Sequence, residues 1–189
     1  METVDRTDDW MQTFFGGRFY PFNPELNRIN TFEIAHALSN LCRFGGHVKE
    51  FYSVAEHCVN LSYAVSSENA LRALLHDATE AYVVDMPRPI KKYLRMYQDI
   101  ESSVAKLIAE KYQVGDIYPD EVREADTRIL LNERNVLIPR HEIWGIDGVF
   151  EPLPDVTIHS YTPKQAEWAY ISRFDNLARQ TGIGGMFSA

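Results

Sequence analysis

Leu74-Leu75-His76-Asp77-Ala78-Thr79-Glu80-Ala81-Tyr82, running on into Val84-Asp85-Met86-Pro87-Arg88-Pro89, is the stretch around which this chain is organised. It sets an adjacent His-Asp pair, then a Glu, inside an apolar run that reads as a buried helix. His76 and Glu80 are four residues apart and Asp77 and Glu80 three, so one helical face presents all three groups. Burying ionisable groups is costly unless they are paired or hold a metal. Three of them in one turn therefore require a cation, a partner or a chemical task.

The whole chain bounds the answer. Its 189 residues suit one domain with a sizeable core. The expectation is a single domain over 1–189, with an N-terminal arm at 1–15 and a flexible tail at 181–189. Hydrophobic residues make up 45% and aromatics 12%, an ordered globular composition. Lys and Arg number 19 against 27 Asp and Glu, a net charge of −8. That balance argues against a nucleic-acid polymer or an anionic membrane as partner, since both need a basic face. It leaves room for a small anionic ligand in a local basic pocket.

Cys42 and Cys58 form no disulfide framework and no Cys-x-x-Cys pair, so Cys58, beside His57, reads as a structural buried thiol. Residues 1–9 are acidic and lack the apolar centre of a signal peptide. No apolar run approaches the roughly 18 residues of a membrane span. A soluble, cytoplasmic protein is expected.

Working outward, Trp10, Met11, Phe14 and Phe15 suggest a short apolar-faced helix or an anchored arm, and Gly16-Gly17 a turn into a short aromatic strand. Asn30-Thr31 offers a cap for a helix over 32–43, closed by Gly45-Gly46. Ser53-x-x-Glu56 fits a capping box for a second helix, with Val54, His57, Cys58, Leu61 and Val65 on one face. A third helix over 69–82 carries the opening stretch, and Pro87 and Pro89 end it. Further helices are expected over 96–112, from Pro119 onward with Val122, Ala125, Asp126, Ile129, Leu130 and Glu133, and over 163–179. Residues 139–156 read as loop. Residues 156–161 alternate like a strand that would pair with Phe19-Tyr20. The fold class is all-α, a compact helical bundle with at most a short two-stranded hairpin.

Four groups fall on the apolar sides of these helices: His57, His76, Asp77 and Asp126. Two imidazoles and two carboxylates make a first shell for a divalent cation and leave positions open for water and a substrate oxygen. A lone buried His is usually a hydrogen-bonded core residue, and His36 is read that way. The set of four, in this order, is harder to explain as packing.

Ala55-Glu56-His57, Leu75-His76-Asp77 and Glu124-Ala125-Asp126 resemble the signature of the HD-domain metal-dependent phosphohydrolases. Cys42-Arg43-Phe44, His76-Asp77-Ala78-Thr79-Glu80 and Asp85-Met86-Pro87-Arg88-Pro89 are similar to the bacterial 5′-deoxynucleotidase branch and its phage relatives, which include deoxyadenosine triphosphate triphosphohydrolases. The likeness runs from about Gly16 through Val136.

The resemblance implies a helical HD fold and His57, His76, Asp77 and Asp126 as ligands of a divalent ion (Zn, Co, Mn or Mg). It implies Glu80 and Asp85 as the catalytic acid–base pair, with either order of roles. Arg43 would grip phosphate, Phe44 would pack on the nucleoside where relatives often carry Trp, and His47 would line the pocket. Lys91 or Lys92 would neutralise phosphoryl charge. The implied substrate is a small deoxynucleotide, deoxyadenine nucleotides included, cut at a monophosphate or with release of triphosphate. Relatives assemble into homo-oligomers, which is the expectation here. Two alternatives stay open: a catalytically idle nucleotide-binding or regulatory HD module, and an alarmone or cyclic-nucleotide hydrolase.

Overall fold

In the computed structural model, residues 8–183 are described. The expected arm falls partly outside them, at 1–7, and the expected tail mostly so, at 184–189. The visible part of the arm is neither a helix nor a free arm. Met11–Gln12 (β1) pairs antiparallel with Arg18–Phe19 (β2) around the Gly16-Gly17 turn, with Met11 opposite Phe19. Phe19 is fully buried and stacks on Tyr82, so the hairpin is pinned to the end of the opening stretch.

The longer helices start largely where capping chemistry predicts. Asn30 accepts from the amides of Phe32 and Glu33 to start Thr31–Asn40 (α1). Ser53 accepts from Glu56 N to start Val54–Ala64 (α2). The expected end of α1 was too late: Leu41 is already extended, and Cys42 bridges Ser53. Arg43–Gly46 is instead a separate 3-10 turn, in which Phe44, Gly45 and Gly46 all have positive φ (56°, 58° and 81°). The two glycines accept that geometry freely and Phe44 does not.

The expected helix over 69–82 is divided into Ala70–Leu75 (α3) and Glu80–Val83 (α4). His76 and Thr79 keep helical dihedrals between them, but the chain tightens. Ala78 N bonds to Leu75 O at 3.0 Å and Glu80 N to Asp77 O at 2.9 Å, three residues back rather than four. Residues three apart eclipse in such a turn, which stacks Glu80 over Asp77. Leu74 and Leu75 are fully buried, and each contributes about 1.5–3 kcal/mol, enough to hold this polar turn against the core.

Arg88–Lys91 (α5) follows, with Pro87 as its N-cap, and then Arg95–Lys111 (α6), which buries Val104 and Ile108. Asp120–Leu137 (α7) begins one residue later than expected, with Pro119 as N-cap rather than as its first residue. Pro163–Thr181 (α8) opens on a full Thr162–Gln165 capping box and closes on Gly182 in the left-handed region, so residue 181 is helical rather than tail. α1, α2 and α3 all pack against α8, whose Tyr170 hydroxyl donates to Leu74 O at 2.9 Å. The main core lies there, and a smaller cluster of Leu61, Ala73, Val122, Ala125, Ile129 and Leu153 joins α7 to α2 and α3. The class is all-α with one short hairpin. No helix among the described residues is long and apolar enough to cross a membrane.

Two expectations fail together. Residues 156–161 form no strand, and β2 pairs with β1 instead. The reason is Glu56. Its carboxylate does not complete the local box; it accepts the amides of His159, Ser160 and Tyr161 at 2.7, 3.1 and 2.7 Å. A backbone whose donors go to one carboxylate has none left for a neighbouring strand. His36, read as a core residue, is half-exposed, stacked on Phe14 and 3.3 Å from Glu167.

Candidate metal centre

Three elements converge where α2, the tightened turn after α3 and α7 meet. α2 delivers His57, the turn delivers His76 and Asp77, and α7 delivers Asp126. Their donor atoms crowd together. His57 Nε2 and His76 Nε2 are 3.2 Å apart, and Asp77 Oδ2 lies 3.1 Å from His76 Nε2 and 3.6 Å from His57 Nε2. Asp126 Oδ1 stands 3.4 and 3.9 Å from the same two nitrogens. Ligand bonds of about 2.0–2.2 Å give neighbouring ligand atoms separations of about 2.9–3.6 Å, so most of these spacings are those of a first shell.

The tautomers sharpen this. His57 Nδ1 is 2.6 Å from Glu133 Oε1, and His76 Nδ1 is 2.8 Å from the Ala73 carbonyl oxygen. A carbonyl only accepts. Burial opposes the Glu133 charge, but Arg43 and His57 hold its carboxyl below the usual range, so it accepts too. Both Nδ1 atoms must therefore donate. Each Nε2 is then turned toward the other and toward two carboxylate oxygens. The short Nε2–Nε2 approach needs a positive charge between the two nitrogens, either a proton on one of them or a bound cation. His57, His76 and Asp126 thus form a group that could hold a metal ion, with Asp77 beside them.

The electrostatics agree in direction. Burial opposes ionisation of Asp77, yet the His76 imidazole prevails and holds its carboxyl down to about 2. Burial likewise opposes Asp126, and His57, His76 and Arg88 outweigh it. Burial works against a charged His76, but the Asp77 carboxylate raises its pKa well above the ordinary value. The centre attracts positive charge. Cys58 is close, with Sγ 3.8 Å from His76 Nδ1, but burial pushes its thiol up to about 11, which fits a structural role.

Around the donors stands a shell that the sequence reading only half anticipated. Arg43 is buried, with Nε and Nη2 on Glu133 Oε2 at 3.2 and 3.0 Å and Nη1 3.5 Å from Asp77 Oδ2. Glu133, fully buried, thereby ties a candidate ligand to the expected phosphate-gripping arginine. It had been read only as part of a buried stripe. The available signal was its place seven residues after Asp126, two turns along the same face of α7.

Glu80 is buried, and its Oε2 has no hydrogen-bond partner among the described residues. Burial, then Asp77 and Asp85, raise its pKa well above the usual carboxylate value. Asp85 follows Val84, whose φ of 67° is rare for a β-branched residue and is held by the Tyr97 hydroxyl on its carbonyl at 2.6 Å. Phe44 lies 6.2 Å, ring to ring, from Trp144, a residue not previously placed near the site.

Other expected contacts are not brought in. Lys91 pairs with Glu101 at 2.5 Å, Lys92 lies over Tyr93, and His47 is exposed on the turn after Gly46. Besides Arg43, the basic residue that reaches the donors is Arg88, 2.5 Å from Asp126 Oδ2. A cavity of about 900 Å³ lies elsewhere, between α2, α8 and residues 154–161, and none of the four donors lines it.

The chain is 37% identical over 173 residues to "Uncharacterized protein YfdR" of Escherichia coli (strain K12), covering 89% of this chain and 96% of that protein. It is 26% identical over 126 residues to an uncharacterized protein of Rhodobacter capsulatus, covering 61% of this chain and 64% of that protein. No family model matches.

Proposed function

From a chain that belongs to the family of Escherichia coli YfdR, we infer a metal-dependent hydrolase of deoxynucleoside phosphates. The observation that carries the reading is the convergence of two imidazole Nε2 atoms and two carboxylate oxygens, with separations of 3.1 to 3.9 Å. Nitrogen and oxygen donors in this ratio suit Mn, Co, Zn or Mg, in an order set by availability as much as by affinity. A divalent ion held there supplies Lewis acidity to a phosphate and acidifies water.

The chain's own residues then divide the work. Glu80, whose pKa is raised by burial and whose Oε2 is unpartnered, and Asp85, across the Val84 turn, form the acid–base pair: one takes a proton from the attacking water and the other delivers one to the leaving oxygen, in either order of roles. Arg43, fixed on Glu133 and facing Asp77, offsets charge building on the phosphoryl group. Phe44 and Trp144 offer an aromatic wall for a nucleoside. The likeness of His57, His76-Asp77 and Asp126 to the HD phosphohydrolase signature supports the phosphate class, and the Arg43-Phe44 and Asp85-to-Pro89 segments support the deoxynucleotide.

The test is product identification by chromatography. Purified protein with added Mn, Co, Zn or Mg is offered deoxynucleoside monophosphates and triphosphates side by side. Release of phosphate or of triphosphate is expected, and the product says which bond is cut. Release of neither by folded, metal-loaded protein overturns the hydrolase reading in favour of an idle nucleotide-binding module.

A further inference from the structure

We propose that Arg88 is a phosphate-positioning residue, whose guanidinium leaves Asp126 for a phosphate oxygen of the substrate at the mouth of the metal centre. The inference rests on the hydrolase reading for its substrate class. Its geometry stands by itself.

The Asp126 carboxylate is divided between two neighbours. Oδ1 faces inward, 3.4 Å from His57 Nε2, and Oδ2 faces Arg88 Nη2 at 2.5 Å. Arg88 therefore approaches Asp126 from the side away from the imidazoles. Its side chain is 62% exposed, whereas that of Asp126 is 19% exposed. It is a cation at the rim with one end in solvent and the other on a candidate ligand. Arg43 cannot play this part, because two of its nitrogens are committed to Glu133 and its side chain is only 9% exposed. Lys91 is engaged by Glu101.

The exchange is energetically easy. An ion pair involving so exposed a partner contributes little to stability, and a guanidinium–phosphate contact, charge-assisted and often bidentate, is among the stronger hydrogen-bonded pairs. A divalent ion held by Asp126 would also weaken the pull of that carboxylate on Arg88, since the two positive charges would compete for it. Pro87 and Pro89 restrict the backbone on both sides of Arg88, so the long side chain swings from a fixed root. Arg88 thus differs in kind from Arg43, which stays in place throughout.

The experiment measures binding of inorganic phosphate by calorimetry to Mn-loaded wild type, Arg88→Ala and Arg88→Lys, with a Mn titration of each. Loss of a charged hydrogen bond predicts roughly 10- to 100-fold weaker phosphate binding in Arg88→Ala. Mn affinity should stay within about twofold and Arg88→Lys should recover part of the loss. With a turned-over deoxynucleotide, KM rises in Arg88→Ala more than kcat falls. Unchanged phosphate affinity in Arg88→Ala overturns the proposal, as does failure of the Mn-loaded wild type to bind phosphate. Loss of Mn affinity in parallel with phosphate also overturns it, because Arg88 would then only align Asp126. If phosphate binding depends on Arg88 while no deoxynucleotide is cut, the hydrolase reading fails and this inference stands. If hydrolysis proceeds and Arg88→Ala binds phosphate normally, the reverse holds.

Discussion

Glu133 Oε1 and His57 Nδ1 stand 2.6 Å apart, with neither side chain reachable by solvent. The contact fixes the tautomer of His57 and, through the other carboxylate oxygen, the position of Arg43. Removing the charge should therefore be felt at the metal before it is felt in the fold. Glu133→Gln, which keeps the shape, is expected to weaken divalent-metal affinity about 10- to 100-fold. Glu133→Ala strands the buried Arg43 guanidinium and is expected to cost about 3–5 kcal/mol of stability. Metal titration and urea denaturation of the two variants separate these effects. Wild-type metal affinity in Glu133→Gln would show that the contact does not serve the centre.

A site that forms only in the folded chain links metal to stability. At a hundredfold excess over its dissociation constant, a bound ion stabilises by about 2.7 kcal/mol. For a chain of this size that corresponds to roughly 5–11 °C in Tm. Mn is expected to raise the Tm of wild type by this much and chelator to reverse it. His76→Ala should keep its helical circular dichroism, lose the Mn-dependent shift and lose any phosphohydrolysis. A full shift in His76→Ala would remove His76 from the ligand set.

Much of this was legible because it is local. Asn30 and Ser53 announce helix starts through side chains that cap within three residues, and α2, α6 and α8 fall close to where their apolar spacing puts them. The four candidate donors were also legible, since each falls on the apolar side of a periodic segment, although His76 and Asp77 sit in the turn between α3 and α4 rather than on a helix. What was hidden is long-range bookkeeping of polar groups. Glu56 reads as half of a capping box, yet it serves amides 103 to 105 residues away, and nothing within six residues of it shows that. The same contact explains why an alternating segment at 156–161 is not a strand.

The missed members of the site have a common cause. Glu133 looked like one more position on a buried stripe, and Arg88 entered only as a part of the Asp85-to-Pro89 segment. The resemblance pointed to Lys91 or Lys92 instead, but Glu101, ten residues along, captures Lys91. Which of several nearby cations reaches a site depends on how α5 is set against α6 and α7, and the short Pro-Arg-Pro run does not encode that angle. Trp144 lies in a loop without periodicity, and its place beside Phe44 depends on the Arg134–Asp147 pair that holds the loop.

Glu121, at the start of α7, accepts from Ser66 N, Ser66 Oγ and Asn69 Nδ2 and so ties α7 to the start of α3. The Asn69 and Ser66 bonds lower its pKa from the ordinary 4.5. A carboxyl lowered by folding contributes stability that is present above its unfolded pKa and is lost as pH falls through the folded value. The stability difference between wild type and Glu121→Gln should thus be flat from pH 7 to about 5.5 and shrink progressively below about 4.5. Urea midpoints at pH 7, 5.5, 4.5 and 3.5 read this directly. A difference that grows on acidification would have the wrong sign and would show that the three bonds do not favour the ionised form.

Trp144 is the residue through which the nucleoside reading can be tested apart from the metal. Its backbone amide donates to Asp147 Oδ2 at 2.6 Å, its ring lies 5.0 Å below the Arg134 guanidinium, and its other neighbour is Phe44. Phe44 in turn follows Arg43, so an aromatic wall begins one residue from a group fixed at the metal centre. An aromatic contact of this kind contributes about 0.5–1.5 kcal/mol beyond area burial, or roughly 2- to 12-fold in affinity. Trp144→Ala is expected to raise KM for a deoxynucleotide by about that factor while leaving inorganic phosphate affinity and Mn affinity unchanged. Trp144→Phe should recover most of the loss. The phosphate control matters because it separates a base contact from a loop collapse that disturbs Arg43: a variant that loses phosphate and nucleotide binding equally would place Trp144 in the scaffold and leave the nucleoside to a different wall.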